Sequence, residues 1–177
     1  MRLGVMCSGE GTNFENILRY PQMHHEVVLM IHNTKKCGAV KRAAKFGIPH
    51  VRVAHKDEDQ MIQLFKAWRV DLIILAGYMR VLKKPSEFHC PIINVHPSLL
   101  PKYKGLHAVE QALESGDKET GCSVHYVNEE LDGGEIIEQS RVPICPDDTV
   151  ETLTHRIQRA EYRLLPLVIN ELQTSKV

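Results

Sequence analysis

Asn94 and His96 stand two residues apart at the end of the run Ile92-Ile93-Asn94-Val95-His96, directly before Pro97. Alternate side chains of an extended segment share one face, so the amide and the imidazole lie side by side. Pro97 ends the strand, and the ends of strands in a parallel sheet are where such folds place ligand chemistry. An amide that donates to an oxyanion, next to an imidazole that exchanges a proton near neutral pH, suits chemistry at a carbonyl. The competing reading of these two residues alone is that they cap a loop. Asp132 is a third candidate. It lies in the turn Glu129-Glu130-Leu131-Asp132-Gly133-Gly134, which reads either as a solvated acidic tip or, given the freedom of two glycines, as an ordered loop.

These side chains need elements to hold them. Residues 2–7 form a short apolar strand that runs into Ser8-Gly9-Glu10-Gly11-Thr12-Asn13, after which Phe14, Ile17 and Leu18 repeat at helical spacing. A strand, a glycine turn and a helix N-terminus aim backbone N–H groups at whatever binds there, and the natural guest is a phosphate. Phe14 occupies the place of the last glycine of a dinucleotide fingerprint, and the lysine of a P-loop is missing. The other reading is a tight connection in which Thr12 or Asn13 caps the helix. A strand over 26–31, a helix from about 38 to 46 and a short strand over 50–53 follow, then a helix from about 57 to 68 with Met61, Leu64, Phe65 and Trp68 in the core.

Residues 71–82 are nearly all apolar, as in a central strand covered on both faces. Gly77 permits a close approach there, and Met79, Val81 and Leu82 either line a flat apolar pocket or pack into the core. A helix over 107–115 comes after the Asn94 and His96 strand. The period then changes to two in Gly121–Val127 and again in Glu135–Val142, which predicts an antiparallel hairpin. The last helix runs from about 149 to 172, with Leu153, Ile157, Ala160, Leu164 and Val168 as its apolar stripe. Glu161 falls inside that stripe, so it has a partner or reaches water at the stripe's edge, and Pro166 predicts a kink. The fold class is therefore α/β: a single doubly wound, mostly parallel sheet flanked by helices, with a C-terminal antiparallel hairpin and a long last helix. One domain spanning residues 1–177 is expected.

Composition narrows the function classes. Lys plus Arg and Asp plus Glu are both 22 and the pI is near 7.1, so no basic field draws the chain to nucleic acid, and an anionic ligand has to be caught locally. Five scattered cysteines without a C-x-x-C pair suggest neither a disulfide framework nor a zinc site, in keeping with a reducing cytoplasm. His24, His25, His32, His50 and His55 have no acidic or Cys partner at ligand spacing, so they read as solvated loop residues and not as metal ligands. The N-terminal apolar run is too short for a signal peptide and no segment reaches the roughly 20 apolar residues of a membrane span. A soluble, unexported, cytoplasmic protein is expected.

The run Ile93-Asn94-Val95-His96-Pro97-Ser98-Leu99-Leu100-Pro101 resembles the signature of enzymes that use 10-formyltetrahydrofolate as formyl donor. The continuation Lys104-Gly105-Leu106-His107 is similar to one branch, the phosphoribosylglycinamide formyltransferases (GAR transformylases), and the resemblance extends over nearly the whole chain. It implies transfer of the formyl group from 10-formyltetrahydrofolate, a co-substrate, to the amine of phosphoribosylglycinamide in de novo purine (IMP) biosynthesis, without a metal. It also implies that Asn94, His96 and Asp132 are catalytic, with Asp132 pairing with the strand-end histidine; an anionic partner favours the imidazolium form. Gly11, Thr12 and Asn13 would hold the ribose phosphate, and Gln158 and Glu161 would contact the glycinamide substrate. Met79, Arg80, Val81 and Leu82, together with Asn94, would contact the folate. The family has a further basic folate contact upstream, where this chain is shorter, and Lys56 is one residue that could replace it.

Rival readings stay open. A formyltetrahydrofolate hydrolase would share the catalytic set but carry an extra N-terminal domain, and a tRNA or sugar formyltransferase an extra C-terminal one; at 177 residues neither is expected. A ligand-sensing module without catalysis would not need Asn94, His96 and Asp132 together. The expected partners are small molecules, with no nucleic acid or membrane, and monomer and homodimer are both open.

Overall fold

A computed structural model describes residues 1–172 of the chain. Five parallel strands are built from the apolar runs: β1 Arg2–Cys7, β2 Glu26–His32, β3 His50–Arg52, β4 Leu72–Leu75 and β5 Ile92–His96. The period-two segments form β6 Glu119–Tyr126 and β7 Ile136–Pro143, which pair antiparallel. All seven lie in one sheet of order β3-β2-β1-β4-β5-β6-β7, and β6 also runs antiparallel to β5. The expected fold class is the one observed.

The helices are α1 Thr12–Arg19, α2 Gly38–Lys45, α3 Glu58–Ala67, α4 Ala108–Ser115 and α5 Val150–Glu171. A covered parallel strand sends alternate residues to opposite faces, and the core divides accordingly. Leu3, Val5 and Cys7 join Phe14, Ile17, Val109 and the α5 stripe on one face, while Met6, Ile73 and Leu75 join Met61, Phe65, Leu82 and Phe88 on the other. Leu64 and Trp68 are only partly buried at the edge of that second cluster. Helix α5 starts at a capping box between Thr149 and Thr152 and continues as helix through Pro166 to Glu171.

Strand order reverses direction of growth between β1 and β4, and a crevice opens at such a switch point beyond the strands' carboxyl ends. The segment after β1 and the segment after β4 meet there: the Ser8 N–H donates to the Gly77 carbonyl and the Met79 N–H donates to Ser8 Oγ at 2.8 Å. The end of β5, carrying Asn94 and His96, is the next strand over. Among the described residues no helix is long and apolar enough to cross a membrane.

Candidate active site

Asn94 and His125 are directly paired across β5 and β6, which puts their side chains on the same face. Asn94 Nδ2 lies 3.4 Å from His125 Nε2, and His125 Nδ1 lies 2.9 Å from the Tyr126 carbonyl oxygen. The carbonyl accepts only from a protonated Nδ1, so Nε2 is left to accept from the Asn94 amide. Burial is the main force pushing the His125 pKa down, the neighbouring His96 adds to it, and the Tyr126 carbonyl and Asp132 oppose it. A neutral His125 follows, and it fixes the Asn94 amide with one N–H engaged and the second free for an oxyanion.

His96 is buried, with Nε2 2.8 Å from the Tyr103 carbonyl and Nδ1 3.5 Å from Asp132 Oδ2. Nε2–H is committed to the carbonyl, so Nδ1 is the nitrogen left to take or give a proton. With Nδ1 also protonated, the imidazolium faces an acceptor on each side. Asp132, in the left-handed region at φ 50°, accepts a hydrogen bond from the Gly105 N–H at 2.8 Å and lies 3.7 Å from His125 Nε2. Its carboxylate thus joins the hairpin loop to the loop after β5, and the solvated-tip reading does not describe it. Gly134 is required beside it, because a Cβ there would run into the Tyr126 carbonyl. The structure brings Asn94, His96 and Asp132 together. His125 and the carbonyl of Tyr103 were missed from sequence; His125 was legible only as one polar residue in an alternating strand.

The turn after β1 presents helix α1 with Gly11 as N-cap at φ 73° and no side-chain cap. The alternative in which Thr12 or Asn13 caps the helix is therefore not what forms, and the N–H groups of the first turn have no intrahelical partner. Thr12 is exposed, and Asn13 Nδ2 donates to Glu161 Oε1 at 3.1 Å, leaving Asn13 Oδ1 buried without a partner among the described residues. Glu161 is buried, so it does not reach water at the edge of the stripe, and desolvation pushes its carboxyl up to about 7 against the opposing Asn13 hydrogen bond. Gln158, half-buried, precedes it by one turn of α5. Beside the turn a hollow of about 650 Å³ is lined by Glu10, Lys35, Lys36, Lys41 and Arg42 among others. A second hollow, of about 560 Å³, opens at the starts of β1 and β2 and holds none of the candidate residues.

Past β4 the chain turns outward. Met79 and Val81 are 70% and 61% exposed and Arg80 is exposed, whereas Leu82 points into the core at 4%. The two exposed apolar side chains thus face solvent beside the crevice, while Leu82 anchors the segment. Lys56 is exposed, and its charge, with those of Arg80 and Lys83, adds to desolvation in pushing the His55 pKa down, which brings these cations into one neighbourhood. Among the described residues no group of three or more His, Cys, Asp or Glu is arranged to hold a metal ion.

The family model described as formyl transferase matches residues 1–169. A curated relative, the trifunctional purine biosynthetic protein adenosine-3 of Drosophila melanogaster, is 43% identical over 96% of this chain, which spans 14% of that protein's length. The phosphoribosylglycinamide formyltransferase of Haemophilus influenzae is 38% identical, with 95% of this chain and 85% of the relative covered. The crystal structure of phosphoribosylglycinamide formyltransferase from Anaplasma phagocytophilum superposes with a TM-score of 0.91 at 39% identity, over 96% of this chain and 84% of that one. With a matching family model over residues 1–169 and relatives of this identity over nearly its whole length, the chain belongs to the formyl transferase family.

Proposed function

We propose that this chain is a single catalytic domain that transfers the formyl group of 10-formyltetrahydrofolate to the amine of phosphoribosylglycinamide, a step of purine biosynthesis. The observation that carries the reading is the closeness of the Asp132 carboxylate to His96 Nδ1, at 3.5 Å, beside an Asn94 amide oriented by His125. The amine nitrogen attacks the formyl carbon, a C–N bond forms, and the carbonyl oxygen becomes an oxyanion. The free N–H of Asn94 stabilises that charge as it develops. Nδ1 of His96 gives a proton to the departing folate nitrogen as its bond to the formyl carbon breaks, and the amine's surplus proton returns to Nδ1. No net proton is consumed, and the Asp132 carboxylate, 3.5 Å from Nδ1, orients the ring between transfers.

The acceptor side is supported by the uncapped N-terminus of α1, which suits a phosphate at Gly11, Thr12 and Asn13, and by Glu161, whose carboxylate suits an ammonium or hydroxyl donor. Gln158 completes that side. On the other side Met79 and Val81 offer apolar contact for the pterin, Leu82 fixes the backbone beneath it, and Arg80, Lys56 and Lys83 suit the carboxylates of the folate's glutamyl group. No step of this route requires a metal.

Incubation with 10-formyltetrahydrofolate, with and without phosphoribosylglycinamide, tests the reading. Tetrahydrofolate should appear only with the acceptor, together with a formylated product. Folate turnover without the acceptor would make the chain a hydrolase, and no turnover with both substrates would overturn formyl transfer.

A further inference from the structure

Glu58 opens helix α3 between Asp57 and Asp59, and an acidic first turn usually faces solvent and favours the helix dipole. Asp57 does the capping work, accepting from the Gln60 N–H at 3.2 Å, and Asp59 pairs with Lys84 Nζ at 2.6 Å on the surface. Glu58 does neither. It is 4% exposed and, among the described residues, forms no ion pair with a cation. Its two oxygens instead accept from the Lys83 N–H, at 2.8 and 3.2 Å, and from the Lys84 N–H at 3.1 Å. Burying a carboxylate is costly, and here backbone amides of one loop are its compensation.

That loop is the one carrying Met79, Arg80, Val81 and Leu82, and Lys83 and Lys84 follow immediately. At its other end the Met79 N–H is held by Ser8 Oγ. The exposed apolar side chains Met79 and Val81 have little packing of their own to fix them, so the segment takes its shape from the buried Leu82 and from the hydrogen bonds at its two ends. We infer that Glu58 is a positioning residue for the folate-binding loop, setting affinity for the formyl donor through the Lys83 and Lys84 amides. The inference rests on the proposed function above for the identity of that donor.

The experiment compares wild type with Glu58→Gln, Glu58→Asp and Glu58→Ala, measuring kcat and the KM of each substrate after confirming folding by circular dichroism and melting temperature. Glu58→Gln keeps the shape but turns an NH2 toward backbone donors, and KM for 10-formyltetrahydrofolate should rise about tenfold. KM for phosphoribosylglycinamide and kcat should change by less than about threefold, because Asn94, His96 and Asp132 stay in place. Glu58→Asp, which retains the charge one methylene short, should fall between wild type and Glu58→Gln. A variant that folds and keeps the wild-type folate KM, or loses both KM values equally, overturns the inference. If the variants do not fold, hydrogen exchange of wild-type Lys83 and Lys84 decides: protection that deepens with a bound folate analogue supports it, and exchange at the rate of a free loop overturns it. Wild type that does not turn over 10-formyltetrahydrofolate defeats the proposed function, whereas active wild type with an indifferent Glu58 defeats only this inference.

Discussion

At the scale of single residues the candidate site is ordered by fixed tautomers. His125, kept neutral by burial, orients the Asn94 amide, and the Tyr103 carbonyl takes Nε2 of His96 and leaves Nδ1 facing Asp132. Replacing His96 with Ala should lower kcat by about 10²- to 10⁴-fold with folate binding largely retained, as read from steady-state rates and a folate titration. Replacing His125 with Ala frees the Asn94 amide, and kcat should fall about tenfold with both KM values little changed. Glu161 gives a pH-dependent prediction. Its folded pKa is raised from 4.5 to about 7, so its contribution to stability is intact below about 4.5 and is lost as pH rises through about 7. Glu161→Gln should therefore leave stability at pH 4.5 unchanged and raise it at pH 8 by roughly 1 to 3 kcal/mol, measured by denaturant unfolding without ligand. A lower stability of Glu161→Gln at pH 8 would mean that the ionised carboxylate is the form the fold favours.

At the scale of elements, the turn between β1 and α1 is set by backbone geometry. Gly11 sits at φ 73°, and a Cβ there would lie 2.6 Å from Ala39 Cβ and 2.9 Å from Ala39 Cα, so α2 leaves no room for it. Gly11→Ala should cost about 1 to 3 kcal/mol in unfolding measurements and raise the acceptor KM. Substituting Thr12 and Asn13 together should weaken the phosphorylated acceptor and leave the folate dissociation constant unchanged; an equal loss for both ligands would make the turn only structural. The strands, the five helices and the hairpin were legible because their periods of 2 and 3.6 are written in Leu3 to Cys7, Gly121 to Val127 and Leu153 to Val168. The caps were not. Thr12 and Asn13 are good N-cap types, yet the left-handed Gly11 takes that place and frees Asn13 to reach Glu161, a contact between residues 148 apart that no local pattern encodes.

At the scale of the whole molecule, the candidate site is assembled from distant parts of the chain. That Asn94 and His96 share a face was readable from spacing, but that His125 stands opposite Asn94 depends on the β5–β6 register, which is set across a long connection. Likewise Glu58 is the middle one of three consecutive acids at the start of α3, and only the tertiary approach of Lys83 and Lys84 turns it inward. Two buried histidines, His32 and His125, have lowered pKa values, so the folded state resists their protonation. Their share of stability is present above about 6.5 and is lost as pH falls toward the folded values; in a Glu161→Gln background, which removes that carboxyl's opposing pH dependence, a melting series should show a decline beginning below about pH 6.5, and a flat profile from 7 to 5 there would exclude it. Helix α5 closes the molecule: besides Glu161 on Asn13, the Tyr162 carbonyl accepts from Asn16, and Asn170 bonds both the Gln22 carbonyl and the His24 N–H. During synthesis from the N-terminus the strands bearing Asn94 and His96 leave the ribosome well before residues 150–171. The nascent chain therefore completes the loop over residues 79–82 and the strand bearing Asn94 and His96 first, and the contact between Asn13 and Glu161 exists only once the last-made helix has docked onto the first.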